Sequence, residues 1–136
     1  MKQELDKVAN FHRVFKQIDG TEPQLISIND VRLRHKLMAE ENDEYLEAAT
    51  QGETPNTEER LVGIADALGD QLYILCGTIL KHGMQHIIVD VFNEIHESNM
   101  SKLDENGQPI FREDGKILKG KDYFKPNIGE ILERLK

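Results

Sequence analysis

The sequence predicts an all-α fold: a four-helix bundle with a short C-terminal hairpin or ordered loop and a final short helix. Two observations carry this. Along four long stretches apolar residues recur every three or four positions, the period of a helix that buries one side. Between those stretches stand groups of Gly, Pro, Asn and Thr that interrupt regular structure. A length of 136 residues then allows one domain, 1–136, with its own core and is too short for two.

Residues 2–18 form the first predicted helix, with Leu5, Val8, Phe11, Phe15 and Ile18 on one face. Gly20, Thr21, Glu22 and Pro23 end it. Ser27, Asn29 and Asp30 offer caps for a second helix over 29–49, whose apolar residues are Val31, Leu33, Leu37, Met38, Tyr45 and Leu46. Gln51, Gly52, Pro55 and Asn56 break the chain again. Thr57 with Glu58 and Glu59 reads as the capped, acidic start of a third helix over 57–82. Leu61, Ile64, Leu68, Leu72, Leu75 and Ile79 are expected to be its inward stripe. Because it is apolar on most faces, it belongs at a bundle centre or between subunits. Gly83 is a natural residue to follow its end. A fourth helix is expected over 84–101. Beyond it, Asn106-Gly107 and Asp114-Gly115 suggest turns, the second between Pro109-Ile110-Phe111 and Ile117-Leu118 as a small hairpin. Pro126 opens the last short helix, 127–135.

Composition narrows the function. Hydrophobic residues make up 38% and charged residues 31%, enough for a thin core or for helices completed by a partner subunit. A net charge of -8 excludes a surface built to grip duplex DNA or anionic lipid, so neither nucleic acid nor membrane is an expected partner. Cys76 is the only cysteine; it sits in an apolar run and reads as a buried, inert thiol. The first residues lack the apolar region of a signal peptide, and no apolar run reaches membrane-spanning length, so a soluble cytoplasmic protein is expected.

The chemistry lies in the carboxylates. On the second helix Glu40, Glu41 and Glu44 share a face, since residues three and four apart are helix neighbours. On the third, Asp66 and Asp70 stand one turn apart on an otherwise apolar helix, although Asp is a poor helix former. Antiparallel packing of the two helices would gather all five. Such a group is repulsive in water and becomes favourable around hard divalent ions, Mg²⁺ or Mn²⁺, which prefer carboxylate and water ligands. A di-iron centre fails on spacing. It needs Glu three residues before a His on two helices, and Ala9, Arg32, Ile79, Gly83 and Asn93 precede His12, His35, His82, His86 and His96. Zinc fails too, with one Cys and no His pair at ligand spacing. These histidines read as surface or core residues.

The chain resembles the all-α nucleoside triphosphate pyrophosphohydrolase superfamily, the MazG-like group, which includes dimeric dUTPases and phosphoribosyl-ATP pyrophosphohydrolases. Its pattern is EExxE on one helix and ExxD on the next. Glu40, Glu41 and Glu44 match the first part, and Asp70 within Ala65-Asp66-Ala67-Leu68-Gly69-Asp70 matches the second. The glutamate expected three residues before Asp70 is Ala67 here, and Asp66 offers a carboxylate from the same face. The likeness spans roughly residues 30–125. It includes Tyr73 to Gly77, Ser98-Asn99-Met100-Ser101-Lys102, and Asp114-Gly115-Lys116 with Lys119 and Tyr123.

The resemblance implies an Mg²⁺-dependent hydrolase that splits a nucleoside triphosphate between the α and β phosphates into monophosphate and pyrophosphate. It implies Glu41, Glu44 and Asp70 as metal ligands, with Asp66 standing in for the missing one. Glu40 and Glu41 become the catalytic candidates, Glu40 as second-metal ligand or general base. Asn99, Lys102, Lys116, Lys119 and Tyr123 become the substrate-binding candidates. It also implies a homo-oligomer, dimer or tetramer. Two alternatives remain open: phosphoribosyl-ATP pyrophosphohydrolase, and a non-catalytic nucleotide-binding bundle that kept the fold after losing the ligand at Ala67.

Overall fold

A computed structural model describes residues 1–50 and 56–135, so Gln51, Gly52 and Pro55 of the predicted break lie outside the described residues. The chain is all-helical, a MazG-like helical bundle with five helices and no strand among the described residues. They are α1 (Lys2–Val14), α2 (Ile28–Thr50), α3 (Thr57–Lys81), α4 (Ile88–Met100) and α5 (Ile128–Glu133). Two compact units divide them, Met1–Gln85 with α1–α3 and His86–Lys136 with α4 and α5.

Caps set the helix ends. The Ser27 side chain accepts the Asp30 amide at 3.2 Å and starts α2. For α3 the cap is Asn56 rather than Thr57, because Asn56 Oδ1 reaches the Glu59 amide, 3.2 Å away. Gly83, at φ +66, closes α3 with two bonds, its own amide to Leu80 O and the Met84 amide to Ile79 O, both 3.0 Å. A Cβ at that position would also lie 2.0 Å from Glu22 O, so only glycine fits.

Helix α1 closes in the same way without a glycine. Lys16 takes φ +59, its amide donates to Arg13 O at 3.2 Å, and the Gln17 amide donates to His12 O at 2.7 Å. The predicted helix therefore ends four residues early. Phe15 and Ile18 leave the apolar face and are exposed, while Leu5 and Val8 are buried. The fourth helix begins at Ile88 rather than 84. Met84 is committed to capping α3, and Gln85 Nε2 donates to Gly20 O at 3.0 Å.

In the first unit α3 packs against both α1 and α2. Its register with α2 is antiparallel: Gly63 lies against Ala48, Gln71 opposite Glu41, and Thr78 opposite Arg34. Ala67, Cys76, Gly77, Ile79 and Leu80 are its buried residues. This corrects the expected inward stripe in part: Ile79 is buried and Ile64 half-buried, as expected. Leu61, Leu68, Leu72 and Leu75 are exposed, because α1 and α2 cover other faces of α3. The Cys76 thiol is fully buried, and burial pushes its pKa up.

In the second unit the tail is pinned along α4. Ser98 Oγ donates to Phe124 O at 2.8 Å, and the Phe124 amide donates to Ser101 Oγ at 3.1 Å. The expected hairpin is there in minimal form, a single antiparallel bridge between Phe111 and Ile117 around Gly115 at φ +86. Asn127 caps α5 by accepting the Glu130 amide. No helix among the described residues is long and apolar enough to cross a membrane.

Candidate metal centre

Three carboxylates converge where α2 and α3 face each other. Glu41 and Glu44 lie three residues apart on α2 and so share a face. The register that lets Gln71 Nε2 donate to Glu41 O at 3.3 Å sets Asp70 beside them. One carboxylate oxygen from each of Glu41, Glu44 and Asp70 lies within 4.8 Å of the others.

This cluster is electrostatically unsatisfied. Oε2 of half-buried Glu41 is shielded from solvent and has no hydrogen-bond partner. Lost hydration, then a hydrogen bond with Glu44 and the negative charges of Glu44, Asp70 and Asp66, push the Glu41 carboxyl up to about 7. Like charges so close cannot all ionise freely. An all-oxygen, anionic donor set with an orphaned oxygen suits a hard divalent cation, so these residues fit the metal that the resemblance implies.

The remaining candidates fall elsewhere. Asp66 is exposed, adds to the field on Glu41, and lines an open cleft of about 240 Å³ with Glu44, Glu47, Glu59 and Arg60. Ala67, where the family pattern has glutamate, is buried. Glu40 is exposed and lies 4.0 Å from Lys36, one turn back. Asn99, Lys102, Lys116, Lys119 and Tyr123 all belong to the second unit. Among them, Lys119 Nζ sits 4.7 Å above the Tyr123 ring, a cation–π contact, and Lys102 O accepts the Gly120 amide at 2.9 Å.

Two polar features escaped the sequence reading. One is Arg60, whose Nη2 donates to Ala49 O at 2.7 Å while its buried Nε has no partner. The other is a buried cluster in which His12 Nδ1 meets Asp19 Oδ1 at 2.5 Å. There Arg34 donates to Thr78 Oγ1 at 3.0 Å and to Ile74 O at 2.7 Å. Gly77 makes room for it: a Cβ there would lie 2.5 Å from Arg34 Nη2 and 3.2 Å from His12 Nε2. A lone Arg or His carries no periodic signal, and only the helix register joins these residues.

An all-helical chain that gathers acidic side chains from two paired helices is a protein of the MazG-like pyrophosphohydrolase class. Residues 8–99 match the family described as phosphoribosyl-ATP pyrophosphohydrolase, and the chain belongs to that family. No curated protein matches it. Among solved structures it is similar to a protein from Exiguobacterium sp. 255-15 that carries the provisional name NTP pyrophosphohydrolase. Their identity is 28% and the TM-score 0.52, over 96% of this chain and 92% of that one. Family and neighbour together point to a hydrolase acting on phosphoanhydride bonds.

Proposed function

We propose that the chain is an Mg²⁺-dependent pyrophosphohydrolase that converts an NTP or dNTP to the monophosphate and pyrophosphate. The observation that carries this reading is the convergence of Glu41, Glu44 and Asp70, with Glu41 Oε2 buried and unpartnered. These three residues would hold the cation, and Asp66, one turn from Asp70, would add charge to its outer side. When bound there, Mg²⁺ (or Mn²⁺) supplies charge neutralisation and Lewis acidity toward the polyphosphate.

The chain's own groups do the rest. Gln71 holds α3 in register against α2, which keeps Asp70 opposite Glu41. Glu40, the candidate general base, takes a proton from the attacking water. That water's oxygen bonds to the α-phosphorus, the bond from the α-phosphorus to the bridging oxygen breaks, and pyrophosphate leaves. Asn99, Lys102, Lys116, Lys119 and Tyr123 remain substrate-binding candidates. The family match covers 8–99, nearly all of the first unit and the start of the second, which supports reading 1–136 as a single domain. The exposed Leu61, Leu68, Leu72 and Leu75 support self-association as a dimer or tetramer, which light scattering reads directly.

A second reading, phosphoribosyl-ATP pyrophosphohydrolase, is favoured by the description of the matching family. Both are tested by one assay. Purified protein with Mg²⁺ is offered a panel of NTPs, dNTPs and phosphoribosyl-ATP, and pyrophosphate release is followed. Turnover of a nucleoside triphosphate is expected. Turnover of phosphoribosyl-ATP alone selects the second reading, and none at all leaves the non-catalytic bundle without the glutamate replaced by Ala67.

A further inference from the structure

The cleft beside the carboxylate triad poses an electrostatic problem. Glu44, Glu47, Glu59 and Asp66 line it, and a polyphosphate entering that field is repelled unless cations meet it. Glu44 belongs both to the triad and to the cleft wall, so the cleft and the converging carboxylates share one side chain. Among the described residues its lining contains one cation, Arg60.

Arg60 is held in place yet not used up. Nη2 is anchored to Ala49 O, in the last turn of α2, and Nε is without a partner. Despite four carboxylates along the same cleft, it forms no ion pair among the described residues. With Nη2 bonded and Nε shielded from solvent, Nη1 is the donor of this anchored guanidinium left to meet a phosphate oxygen in the cleft.

We propose that Arg60 grips the terminal phosphate of a polyphosphate chain whose inner phosphates lie at Glu41, Glu44 and Asp70. This inference rests on the pyrophosphohydrolase reading above. It assigns a phosphate contact inside the first unit, where the sequence had offered lysines of the second.

The test uses Arg60→Gln and Arg60→Lys with two readouts. Calorimetric titration with inorganic triphosphate and Mg²⁺ reads the phosphate contact without base or sugar. Steady-state kinetics on the best nucleoside triphosphate of the panel separates KM from kcat. Arg60→Gln is expected to weaken triphosphate binding and raise KM by about tenfold each, with kcat changed less than about threefold. Arg60→Lys, which keeps the charge and loses the guanidinium, falls between. Unchanged affinity and KM with only a lower melting temperature would overturn the proposal, leaving Arg60 as a cap on α2. Wild-type protein that binds no triphosphate overturns it as well. If Arg60→Gln does not fold, Arg60→Lys decides alone: a severalfold rise in KM supports the grip and an unchanged KM refutes it. If wild type turns over no nucleotide, the pyrophosphohydrolase reading fails, while the triphosphate titration still settles Arg60.

Discussion

Two polar clusters sit on the α2–α3 seam, about two helical turns apart along α2, and their chemistry is opposite. Around Arg34 every charge meets a partner of opposite sign or a dipole: Thr78 Oγ1 and Ile74 O take its protons, and Asp19 meets His12. Burial lowers the Arg34 pKa, and the nearby Asp19 carboxylate opposes that shift. Around Glu41 the neighbours are Glu44, Asp70 and Asp66, all of the same sign, and Oε2 is unmatched. A satisfied buried network contributes to stability, whereas an unsatisfied one is retained at a cost that needs another explanation. That contrast separates a structural tie from a cluster whose chemistry suits a cation.

The largest expected effect breaks the comparison on the acidic side. Glu41→Gln removes a charged ligand yet relieves repulsion, so pyrophosphate release should fall by about 10³-fold or more, while the metal-free melting temperature holds or rises. A mutant that loses stability instead would make the acidic cluster a structural tie like its neighbour.

Next comes the Arg34 side. Arg34→Met keeps the aliphatic stem and removes the donors, and the loss of these bonds and of Asp19's cationic neighbour should cost about 2 kcal/mol in urea unfolding. Steady-state kcat should change little. If the variant unfolds at the wild-type urea concentration, the seam does not depend on this cluster.

The last prediction is a pH dependence of the acidic cluster. Lost hydration and the neighbouring carboxylates push the Glu41 carboxyl up to about 7 in the folded protein, from an ordinary value of 4.5. The unfolded chain therefore releases this proton first, and Glu41's contribution to stability falls as pH rises from about 4.5 through about 7. Mg²⁺ needs the ionised carboxylate, so its stabilisation should grow over the same interval. Melting curves with Mg²⁺ and with chelator should diverge as pH increases. Parallel curves would show that the cation binds elsewhere.

How much of this was legible in the sequence depends on the range of the interaction. The two closures of α1 and α3 make the point at the level of the fold. Gly83 advertised its left-handed turn, because glycine takes φ > 0 freely. Lys16 adopts the same conformation with no such mark, and it left Phe15 and Ile18 wrongly assigned to a helix. At the site, Glu41 and Glu44 were readable as a pair from spacing alone. Asp70 was named with them as a ligand only through the family pattern, and that Asp66 stays out of the triad and lines the adjoining cleft was not readable, since both aspartates share one helix face. Arg60 was invisible, as a single arginine in a first helical turn looks like any solvated one.

The sequence by itself determined the helices, their breaks, the acidic faces and the net charge, since each follows from residues within one or two turns of one another. Tertiary structure alone decided which carboxylates meet, which leucines stay exposed on α3, and which guanidinium faces the cleft. Those depend on the register of α2 against α3, set by contacts between residues far apart in the chain: Gly63 with Ala48, Gln71 with Glu41, and Arg34 with Thr78. Helical periodicity is local, whereas register is chosen only when two surfaces pack and their polar groups find partners across the seam.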